Sequence, residues 1–326
     1  MITDFDPKTT TGIEASRIAQ RDVARRDERV FAIEADLGDC WGLAFAAEFP
    51  DRYRDFGIAE ASAVGAAAGL AMHGKRPVLN TFGSFAIMRA AEQVRLDICY
   101  NNVPVVIAAM FTGVAAGFSG PTHHTVEDLA IARALPNMTV LAPADAASTY
   151  QATVAALAHD GPVYIRLGVE PGKPVYSVGE PFVIGKGTVL RPGRDLTIVA
   201  CGLTIVPNVL EAADRLAAQG VDVRVIDMPS IKPIDQELLI AAARETAAVI
   251  TVEEHSTIGG LGGAVAEVLG EHAPVPVRML GLPDAFSKHV CSYDDQLAAA
   301  GLDPISITTA VLAFRSTAVR VLRSRS

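Results

Sequence analysis

Short apolar runs alternate with longer amphipathic segments along the first half of the chain. A run of consecutive apolar residues is typical of a strand buried on both faces, whereas apolar residues three or four positions apart are typical of a helix. Strands that are separated by helices form parallel sheets, which the helices cover. The predicted strands lie at residues 30–33, 77–79, 103–109, 139–141 and 163–165, and the predicted helices at 60–72, 85–100, 126–134 and 144–159.

The alternation stops between residues 169 and 187, where Pro171, Pro174 and Pro181 stand among several glycines. These residue types disfavour helices and central strands, so the segment is predicted to be a linker. The sequence therefore predicts an α/β protein with two parallel-sheet domains, residues 1–168 and 188–326, with helices on both faces of each sheet. In the second domain the alternation resumes at residues 196–200, 207–218, 221–226, 236–245, 248–252, 260–269 and 275–280.

The net charge excludes two classes of partner. The 326 residues include 28 Lys and Arg against 37 Asp and Glu, which gives a net charge of -9. A chain without a sustained basic face is not expected to bind nucleic acid or an anionic membrane surface. No run reaches the roughly 18 consecutive apolar residues of a membrane-spanning helix, and the first residues are polar, so we expect a cytoplasmic location.

The cysteines indicate neither a disulfide framework nor a metal site. They lie far apart, and none has the CxxC spacing of a zinc ligand pair. We expect reduced, mostly buried thiols, as in proteins of a reducing compartment. The four residues are Cys40, Cys99, Cys201 and Cys291.

An acid beside aromatic residues is the first candidate site. Glu60 begins a predicted helix of small residues, where an acid commonly stabilises the helix dipole. A carboxylate between an apolar helix and aromatic side chains is costly to bury without a specific polar partner, and this favours a functional interpretation. Phe82, Phe85 and Met88 recur at regular spacing after a predicted strand. They are either core residues or a flat apolar slot for a heteroaromatic ring.

A glycine-rich loop at residues 113–125 is the second candidate site. It carries His123 and His124 between a predicted strand and a predicted helix. Loops at the end of a parallel sheet commonly handle substrates, although a histidine there is also commonly structural. No G-x-S-x-G motif supports a nucleophilic serine.

Several motifs together resemble the C-terminal half of a transketolase, which consists of a pyrimidine-binding domain and a C-terminal domain. The resemblance covers nearly the whole chain from about Gly12 onward, and the motifs occur in the order and spacing of that family. A set of this kind is far more specific than any single short motif. The matching segments are residues 55–70, 81–102 and 135–145, the strings Gly120-Pro121-Thr122-His123, Glu127-Asp128-Leu129 and Glu253-Glu254-His255, and the pair Gly259-Gly260.

This resemblance implies a thiamine-diphosphate-dependent enzyme that transfers a two-carbon ketol unit from a ketose donor to an aldehyde-type acceptor. Transketolases also need a diphosphate-binding domain, marked by Gly-Asp-Gly and a later Asn, which holds Mg²⁺. Gly38-Asp39-Cys40 is the nearest string, and no Asn follows it at the required distance. We therefore expect this chain to be the small subunit of a split enzyme. A partner chain would hold the diphosphate and Mg²⁺, and the two chains would form an α2β2 heterotetramer.

The resemblance also implies roles for individual residues. Glu60 would exchange a proton with the cofactor's pyrimidine, which Phe82 and Phe85 would hold. Met88 is also implied to bind the cofactor, at a position where many family members have a third aromatic residue. Three further residues are implied to contact the cofactor, namely Ile58, which would support its bent conformation, and the pair Asp36-Leu37. The implied catalytic residues are Glu60 and His123.

Departures from the family pattern concern the substrate. The resemblance implies that Ser119, His123 and Phe111 bind substrate, with Ser119 where transketolases have an Asp. Phe111 and Val169 replace a His and an Arg that bind phosphate in the family. We therefore expect that the substrate lacks a terminal phosphate, unless Arg166 or a partner residue supplies the missing charge.

Two other functions stay open. The chain resembles, less closely, the beta subunit of a 2-oxoacid dehydrogenase, which has an equivalent Glu. A non-catalytic scaffold subunit is the second alternative, although a buried Glu60 would be a liability without a cofactor. The sequence does not identify the donor, the acceptor or the pathway.

Overall fold

The computed structural model describes residues 5–37, 43–246, 248–288 and 290–323, with side chains described as far as residue 316. The strands are β1 (Val30–Glu34), β2 (Tyr53–Asp55), β3 (Arg76–Phe82), β4 (Val106–Met110), β5 (Thr139–Leu141), β6 (Val163–Leu167), β7 (Thr188–Arg191), β8 (Leu196–Ala200), β9 (Val223–Asp227), β10 (Ser230–Lys232), β11 (Val249–Ser256) and β12 (Val277–Leu282). The helices are α1 (Gly12–Ala24), α2 (Leu43–Glu48), α3 (Glu60–Met72), α4 (residues 85–100), α5 (Asp128–Ala134), α6 (Ala146–Ala158), α7 (Ile205–Ala217), α8 (Gln236–Thr246), α9 (Leu261–His272), α10 (Tyr293–Ala299) and α11 (Pro304–Arg323).

The first sheet has the strand order β10-β5-β6-β4-β3-β1-β2. Strands β1, β3, β4 and β6 are parallel neighbours, with Glu34 opposite Asn80 and Phe82 opposite Met110. Their continuously apolar sequences are explained by burial, since β4 and β6 are buried at every position. Parallel strands end at the same edge, so the loops after β1, β3 and β4 lie next to one another.

The second sheet has the strand order β12-β11-β8-β9-β7. Strands β8, β9, β11 and β12 are parallel, whereas β7 at the edge is antiparallel to β9. Strand β10 is likewise antiparallel to β5 at the edge of the first sheet. The prediction of two α/β domains is confirmed, but the sheets are mostly rather than entirely parallel. An edge strand has one neighbour only, so an antiparallel strand there leaves the parallel interior intact.

Strand β10 crosses the predicted domain boundary. Residues 230–232 follow the linker in sequence, yet they extend the sheet of the first domain. Ile231 of this strand is buried in a cluster that includes Leu129 and Met138 from the first domain and Leu261 and Val265 from the second. The two domains are therefore joined by a shared strand and a shared hydrophobic cluster.

The segment at residues 169–187 forms no helix or strand, as predicted, but it is firmly attached. The backbone N–H groups of Val175 and Tyr176 donate to the Asp145 carboxylate at 2.7 and 2.8 Å. The Tyr176 hydroxyl donates to the Asp227 carboxylate at 2.7 Å. Since Asp145 lies before α6 and Asp227 ends β9, the segment is bound to both domains.

Helix α4 occupies the range predicted for it but has a different period. Phe85–Arg89 and Val94–Tyr100 are π-helical, with Ala91–Gln93 between them. π-Helical turns occur frequently at functional sites, because they reposition side chains relative to a regular α-helix. The sequence pattern predicts a helix over this range but not this change of period.

One segment passes the length and composition test for a membrane-spanning helix. Within Tyr293–Ser316, which comprises α10 and part of α11, an 18-residue window has a mean hydropathy of 1.6, although no such segment is expected from the length of the apolar runs. The backbone turns at Gly301, where φ is 72°, and Leu302, Ile307 and Val311 are buried in the core of the second domain. Of that window, 28% is buried within the fold, so burial explains only part of the apolar composition. The cytoplasmic location stays a prediction.

Candidate active site

The predicted site residues lie at one edge of the first sheet. Asp36 and Leu37 follow β1, Phe82 ends β3, and Phe111 follows β4. Strand β3 lies between β1 and β4. Residues that are far apart in the sequence are therefore brought to the carboxyl ends of neighbouring strands. This edge is where open parallel sheets bind ligands.

Glu60 is the first residue of α3 and is only 2% exposed. One nitrogen of the Arg89 guanidinium donates to both carboxylate oxygens, at 2.7 and 2.8 Å. The same guanidinium lies 4.2 Å from the centre of the Phe85 ring. The polar partner that the burial of Glu60 requires is thus supplied within the chain. Arg89 also connects this acid to the aromatic residues.

Four rings form an aromatic cluster, which we define as Phe82, Phe85, Phe111 and His123. The ring centres of Phe82 and Phe111 are 4.7 Å apart and nearly parallel, and those of Phe82 and Phe85 are 5.6 Å apart. The His123 ring meets Phe82 and Phe85 edge-on at 5.5 and 5.3 Å. Phe82, Phe85 and His123 are half-buried, so part of each ring stays accessible. The structure brings these four predicted residues together.

The loop that carries His123, residues 113–125, is defined here as the histidine loop. Phe111 precedes it in the left-handed conformation, with φ of 54°, which turns the chain sharply after β4. The loop closes on itself, since Gly113 and Thr125 exchange two N–H to O=C hydrogen bonds of 2.8 Å. Ser119 is half-buried before the 3₁₀ turn Gly120–Thr122. The loop therefore presents His123 from a closed and anchored turn.

His124 differs from its neighbour. It is buried, and its Nε2 atom has no hydrogen-bond partner among the described residues. Burial lowers the pKa of His124, and the nearby His123 adds to that effect. His124 lines a cavity of about 250 Å³ between the histidine loop and residues 282–300. The two adjacent histidines thus have different environments, and of the two it is His123 that belongs to the aromatic cluster.

The four other predicted cofactor residues are Asp36, Leu37, Ile58 and Met88, and their environments differ. The Asp55 carboxylate accepts the backbone N–H groups of Asp36 at 3.1 Å and of Gly57 at 2.8 Å, which ties the end of β1 to the turn before α3. Leu37 is buried in the same hydrophobic cluster as Phe111. Ile58 is 74% exposed and Met88 is 40% exposed. Ile58 and Met88 therefore lie at the protein surface and are not buried in the aromatic cluster.

The positions predicted to affect phosphate binding are either apolar or already hydrogen-bonded to other residues. Phe111 is buried in the aromatic cluster, and Val169 packs against the adjoining core. Arg166 is buried and donates to both oxygens of the Asp128 carboxylate at 2.8 Å. It also donates to the backbone carbonyls of Thr125 and Glu254, so Arg166 is not free to bind a substrate. The string Gly38-Asp39-Cys40 lies outside the described residues.

The string Glu253-Glu254-His255, at the end of β11, lies at the boundary between the domains. Glu253 accepts the N–H groups of Leu261 and Gly262 at the start of α9, at 2.6 and 2.7 Å. Glu254 faces the histidine loop, and His255 accepts the Ala130 N–H at 3.3 Å. Burial raises the pKa of both glutamates to about 7 and lowers that of His255. These contacts have no direct signal in the sequence, because the partners lie in the other domain or beyond the strand.

Arg89 is the principal site residue that the sequence pattern does not single out, since it appears there only within a matching segment. Its position four residues after Phe85 in a predicted helix is nevertheless a usable signal, because side chains at that spacing share one face. A buried acid and a nearby arginine on packed helices form a reasonable pair to test.

The chemistry of the site fits a flat heteroaromatic ring. Half-buried aromatic rings offer stacking surfaces, and the Glu60 carboxylate beside them offers a hydrogen-bond partner for a ring nitrogen. Among the described residues, no group of three or more His, Cys, Asp or Glu could hold a metal ion. The site can therefore hold the ring of a cofactor, and the residues described here do not form a metal centre.

Two family descriptions match the chain. "Transketolase, pyrimidine binding domain" matches residues 8–170, and "Transketolase, C-terminal domain" matches residues 185–307. A solved structure described as "Split gene transketolase, inactive beta4 tetramer" has a TM-score of 0.86 and 42% identity, and the match covers 95% of this chain and 99% of that chain.

Curated relatives of comparable length are described as transketolase subunits. The 6-deoxy-6-sulfo-D-fructose transketolase subunit SqwH of Clostridium sp. (strain MSTE9) is 42% identical over 81% of this chain and 82% of its own length. An apulose-4-phosphate transketolase subunit of Phocaeicola vulgatus is 40% identical over 90% of this chain and 94% of its own length. The chain spans about half of a third relative, the 1-deoxy-D-xylulose-5-phosphate synthase 1 of Geobacter sulfurreducens, with 42% identity over 93% of this chain and 48% of that protein.

Proposed function

The chain belongs to the transketolase family, and we propose that it is one subunit of a split enzyme that transfers a two-carbon ketol unit from a ketose to an aldehyde. The observation that carries the proposal is the buried Glu60 carboxylate beside the half-buried Phe82 and Phe85. This arrangement occurs in a chain that matches relatives described as transketolase subunits over most of their length. Neither alternative, a 2-oxoacid dehydrogenase subunit or a scaffold, is favoured by those relatives.

The residues of the chain would act on bound thiamine diphosphate in defined ways. When bound, this cofactor supplies a nucleophilic carbon and an electron sink for the ketol unit. Glu60 would hold a proton at the pyrimidine nitrogen, and Arg89 would have to release at least one carboxylate oxygen for this contact. Phe82 and Phe85 would contact the ring, each stacking contact contributing about 0.5–1.5 kcal/mol. His123 would face the substrate from the histidine loop.

A partner chain is part of the proposal. It would carry the diphosphate-binding domain, hold Mg²⁺ and the cofactor's phosphates, and form an α2β2 heterotetramer with this chain. Two relatives are described as subunits, and the similar solved structure is described as a split-gene transketolase. The exposed apolar side chains of Ile58, two residues before Glu60, and of Met88, next to Arg89, are consistent with a surface that cofactor or partner covers.

We further propose that the substrate carries no terminal phosphate. Phosphate recognition normally uses Arg, His, backbone N–H groups or helix N-termini. Here Phe111 and Val169 are apolar, and the Arg166 guanidinium is already hydrogen-bonded to the Asp128 carboxylate. The names of two relatives include a sulfo and a phosphate group, so this proposal depends on the residues of this chain and not on those relatives.

A competition experiment tests the substrate proposal. A ketose and its terminal phosphate ester are supplied together to the reconstituted enzyme, and the consumption of each is followed by NMR. We expect a higher kcat/KM for the unphosphorylated sugar, because Phe111 and Val169 cannot compensate the desolvation of a phosphate dianion and Arg166 is already paired. A clear preference for the phosphate ester would contradict the substrate proposal.

Ketol transfer itself is tested with the chain, its partner, thiamine diphosphate and Mg²⁺. A ketose donor and an aldehyde acceptor are added, and the lengthened ketose is measured. We expect product only when both chains and the cofactor are present. Decarboxylation of pyruvate or of another 2-oxoacid, without ketol transfer, would instead assign the chain to a synthase or dehydrogenase activity.

A further inference from the structure

The histidine loop is held from two sides. Within the first domain, Gly113 and Thr125 close the loop with two hydrogen bonds, and Arg166 donates to the Thr125 carbonyl at 3.1 Å. The Thr125 hydroxyl accepts the Ser84 N–H at 2.9 Å, which ties the loop to the start of α4. These contacts fix the end of the loop that follows His123.

The other end of the loop is held by the second domain. Glu254 is buried on β11, and its Oε1 atom accepts the Val114 N–H at 2.7 Å. Its Oε2 atom accepts the hydroxyl of Tyr293 on α10 at 2.5 Å. We define Glu254, Tyr293 and the Val114 N–H as the interdomain clamp. The clamp joins the first turn of the histidine loop to a strand and a helix of the other domain.

The fit between Glu254 and the loop is tight. A Cβ atom on Gly113 would lie 2.1 Å from Oε1 of Glu254, so only glycine allows this approach, and its φ of 67° also favours glycine. A Cβ atom on Gly117 would lie 2.6 Å from the Cys291 carbonyl oxygen. The loop backbone therefore rests directly on the second domain at two separate points.

Burial of the Glu254 side chain between the domains carries a large desolvation cost. Burying an ionisable group costs several kcal/mol before its partners compensate, and an apolar side chain of similar volume is often as stable or more so. Its advantage is directional, because a carboxylate accepts a backbone N–H only from a restricted position. The raised pKa of Glu254, about 7, reflects this burial.

We propose that Glu254 is a positioning residue, which fixes the first turn of the histidine loop and thereby the placement of His123 within the aromatic cluster and of Ser119 on the same loop. This inference rests on the proposed ketol transfer for its kinetic consequence, but not for its structural one. The predicted site residues all lie in the first domain. The second domain thus sets the geometry of the substrate site without contributing a predicted site residue to it.

Hydrogen exchange on the isolated full chain tests the structural part. In Glu254→Ala, the Val114 N–H loses its acceptor, and we expect amide exchange in residues 114–123 to accelerate at least tenfold, with β3 and β4 unchanged. Glu254→Gln keeps a carbonyl oxygen for Val114 and should exchange like the unmodified chain. Tyr293→Phe, which removes only the hydroxyl, should give an intermediate acceleration and serves if the alanine variant does not fold.

Glu253→Ala is the matched control. Glu253 is adjacent, similarly buried and has a similarly raised pKa, but it binds the start of α9 in its own domain. It should leave exchange in the histidine loop unchanged. If Glu254→Ala leaves the loop protected, or if Glu253→Ala loosens the loop equally, Glu254 does not position it.

Kinetics on the reconstituted complex test the functional part. A loop that occupies its competent conformation one tenth as often raises the apparent KM about tenfold. We expect this rise for Glu254→Ala, with kcat within about threefold, the Kd of thiamine diphosphate unchanged, and recovery in Glu254→Gln. An unchanged KM would overturn the functional part. A complex in which the unmodified chain transfers no ketol unit would contradict the proposed function instead, and the exchange result would still decide the role of the clamp.

Discussion

Glu60 is stabilised by Arg89 within the chain, although its proposed role requires it to meet a cofactor. A nearly fully buried carboxylate needs compensation, and two hydrogen bonds from one guanidinium nitrogen supply it. The Arg89 side chain is half exposed, so it can move without disturbing the core. We infer that this pair holds the acid ready in the chain alone and opens when the ring site is occupied.

Replacement of Glu60 tests its role in proton exchange. Glu60→Gln keeps the size and polarity of the side chain but removes the exchangeable proton. We expect kcat of the reconstituted enzyme to fall by roughly 10²–10⁴-fold, which is the usual contribution of acid–base catalysis. Cofactor affinity, measured by calorimetry, should change much less. Turnover close to that of the unmodified enzyme would exclude Glu60 from the mechanism.

The Glu60–Arg89 pair can be measured by a double-mutant cycle. Arg89→Met leaves a buried carboxylate without its partner, so we expect the free energy of unfolding to fall by about 1–3 kcal/mol in urea denaturation at pH 7. In Glu60→Gln the acid is absent, and the same Arg89→Met change should then cost less than about 0.5 kcal/mol. Equal costs in both backgrounds would mean that the pair contributes no coupling energy.

For individual residues, the sequence predicts which residue types form the site better than it predicts their contacts. The pattern and the family resemblance point to Glu60, Phe82, Phe85, Phe111 and His123, and the structure brings them to one edge of the sheet, though their roles stay predictions. The sequence reveals neither Arg89 as the partner of Glu60 nor Glu254 as the partner of the Val114 N–H. Their significance depends on how helices and domains pack, and hydrophobic periodicity does not report that packing.

The linker between the domains, residues 169–187, is held to both of them by hydrogen bonds. Its Tyr176 hydroxyl binds Asp227 at the end of β9, while its backbone binds Asp145. Asp227 is buried, and its Oδ1 atom has no hydrogen-bond partner among the described residues. Burial raises the pKa of Asp227 from its ordinary value of 3.8 to about 7. A titratable group therefore lies at the junction of linker and sheet.

The stability of the fold should depend on pH through Asp227. The pKa of Asp227 is higher in the folded than in the unfolded chain, so the protonated carboxyl contributes to the free energy of unfolding. This contribution is complete below about pH 3.8 and is lost as the pH rises through about 7. Asp227→Asn cannot titrate. In that variant the fall in unfolding free energy between about pH 5 and 7 should be shallower by up to about 1.4 kcal/mol per pH unit. Denaturant titrations at several pH values measure this slope, and an unchanged slope would contradict the assignment.

The elements show which features of the fold periodicity determines. Long apolar runs and amphipathic segments predict β4, α6 and most other interior elements to within a few residues. Strand β10 escapes prediction because its three residues include a single apolar side chain, Ile231, between two polar ones. The π-helical turns of α4 escape it because their apolar face resembles that of an α-helix. The antiparallel edge strands depend on long-range pairing, which a local pattern does not determine.

For the whole molecule, the central expectation is that the catalytic site is completed by a second chain. The described part of the chain provides the Glu60 carboxylate and the aromatic cluster, and within it no group of three or more acidic, His or Cys side chains could hold a metal ion. Diphosphate and Mg²⁺ binding are therefore assigned, in our proposal, to the partner. The clamp and the shared strand make the two domains of this chain act as one unit in that assembly.

Calorimetric titration of thiamine diphosphate tests this expectation most directly. The titration is performed with Mg²⁺ on this chain, on the partner and on the mixture. We predict strong, Mg²⁺-dependent binding in the mixture, with one cofactor for each pair of chains, and weak binding to this chain alone. Tight, Mg²⁺-dependent binding to the isolated chain would contradict the account, because a single chain would then hold the whole cofactor site.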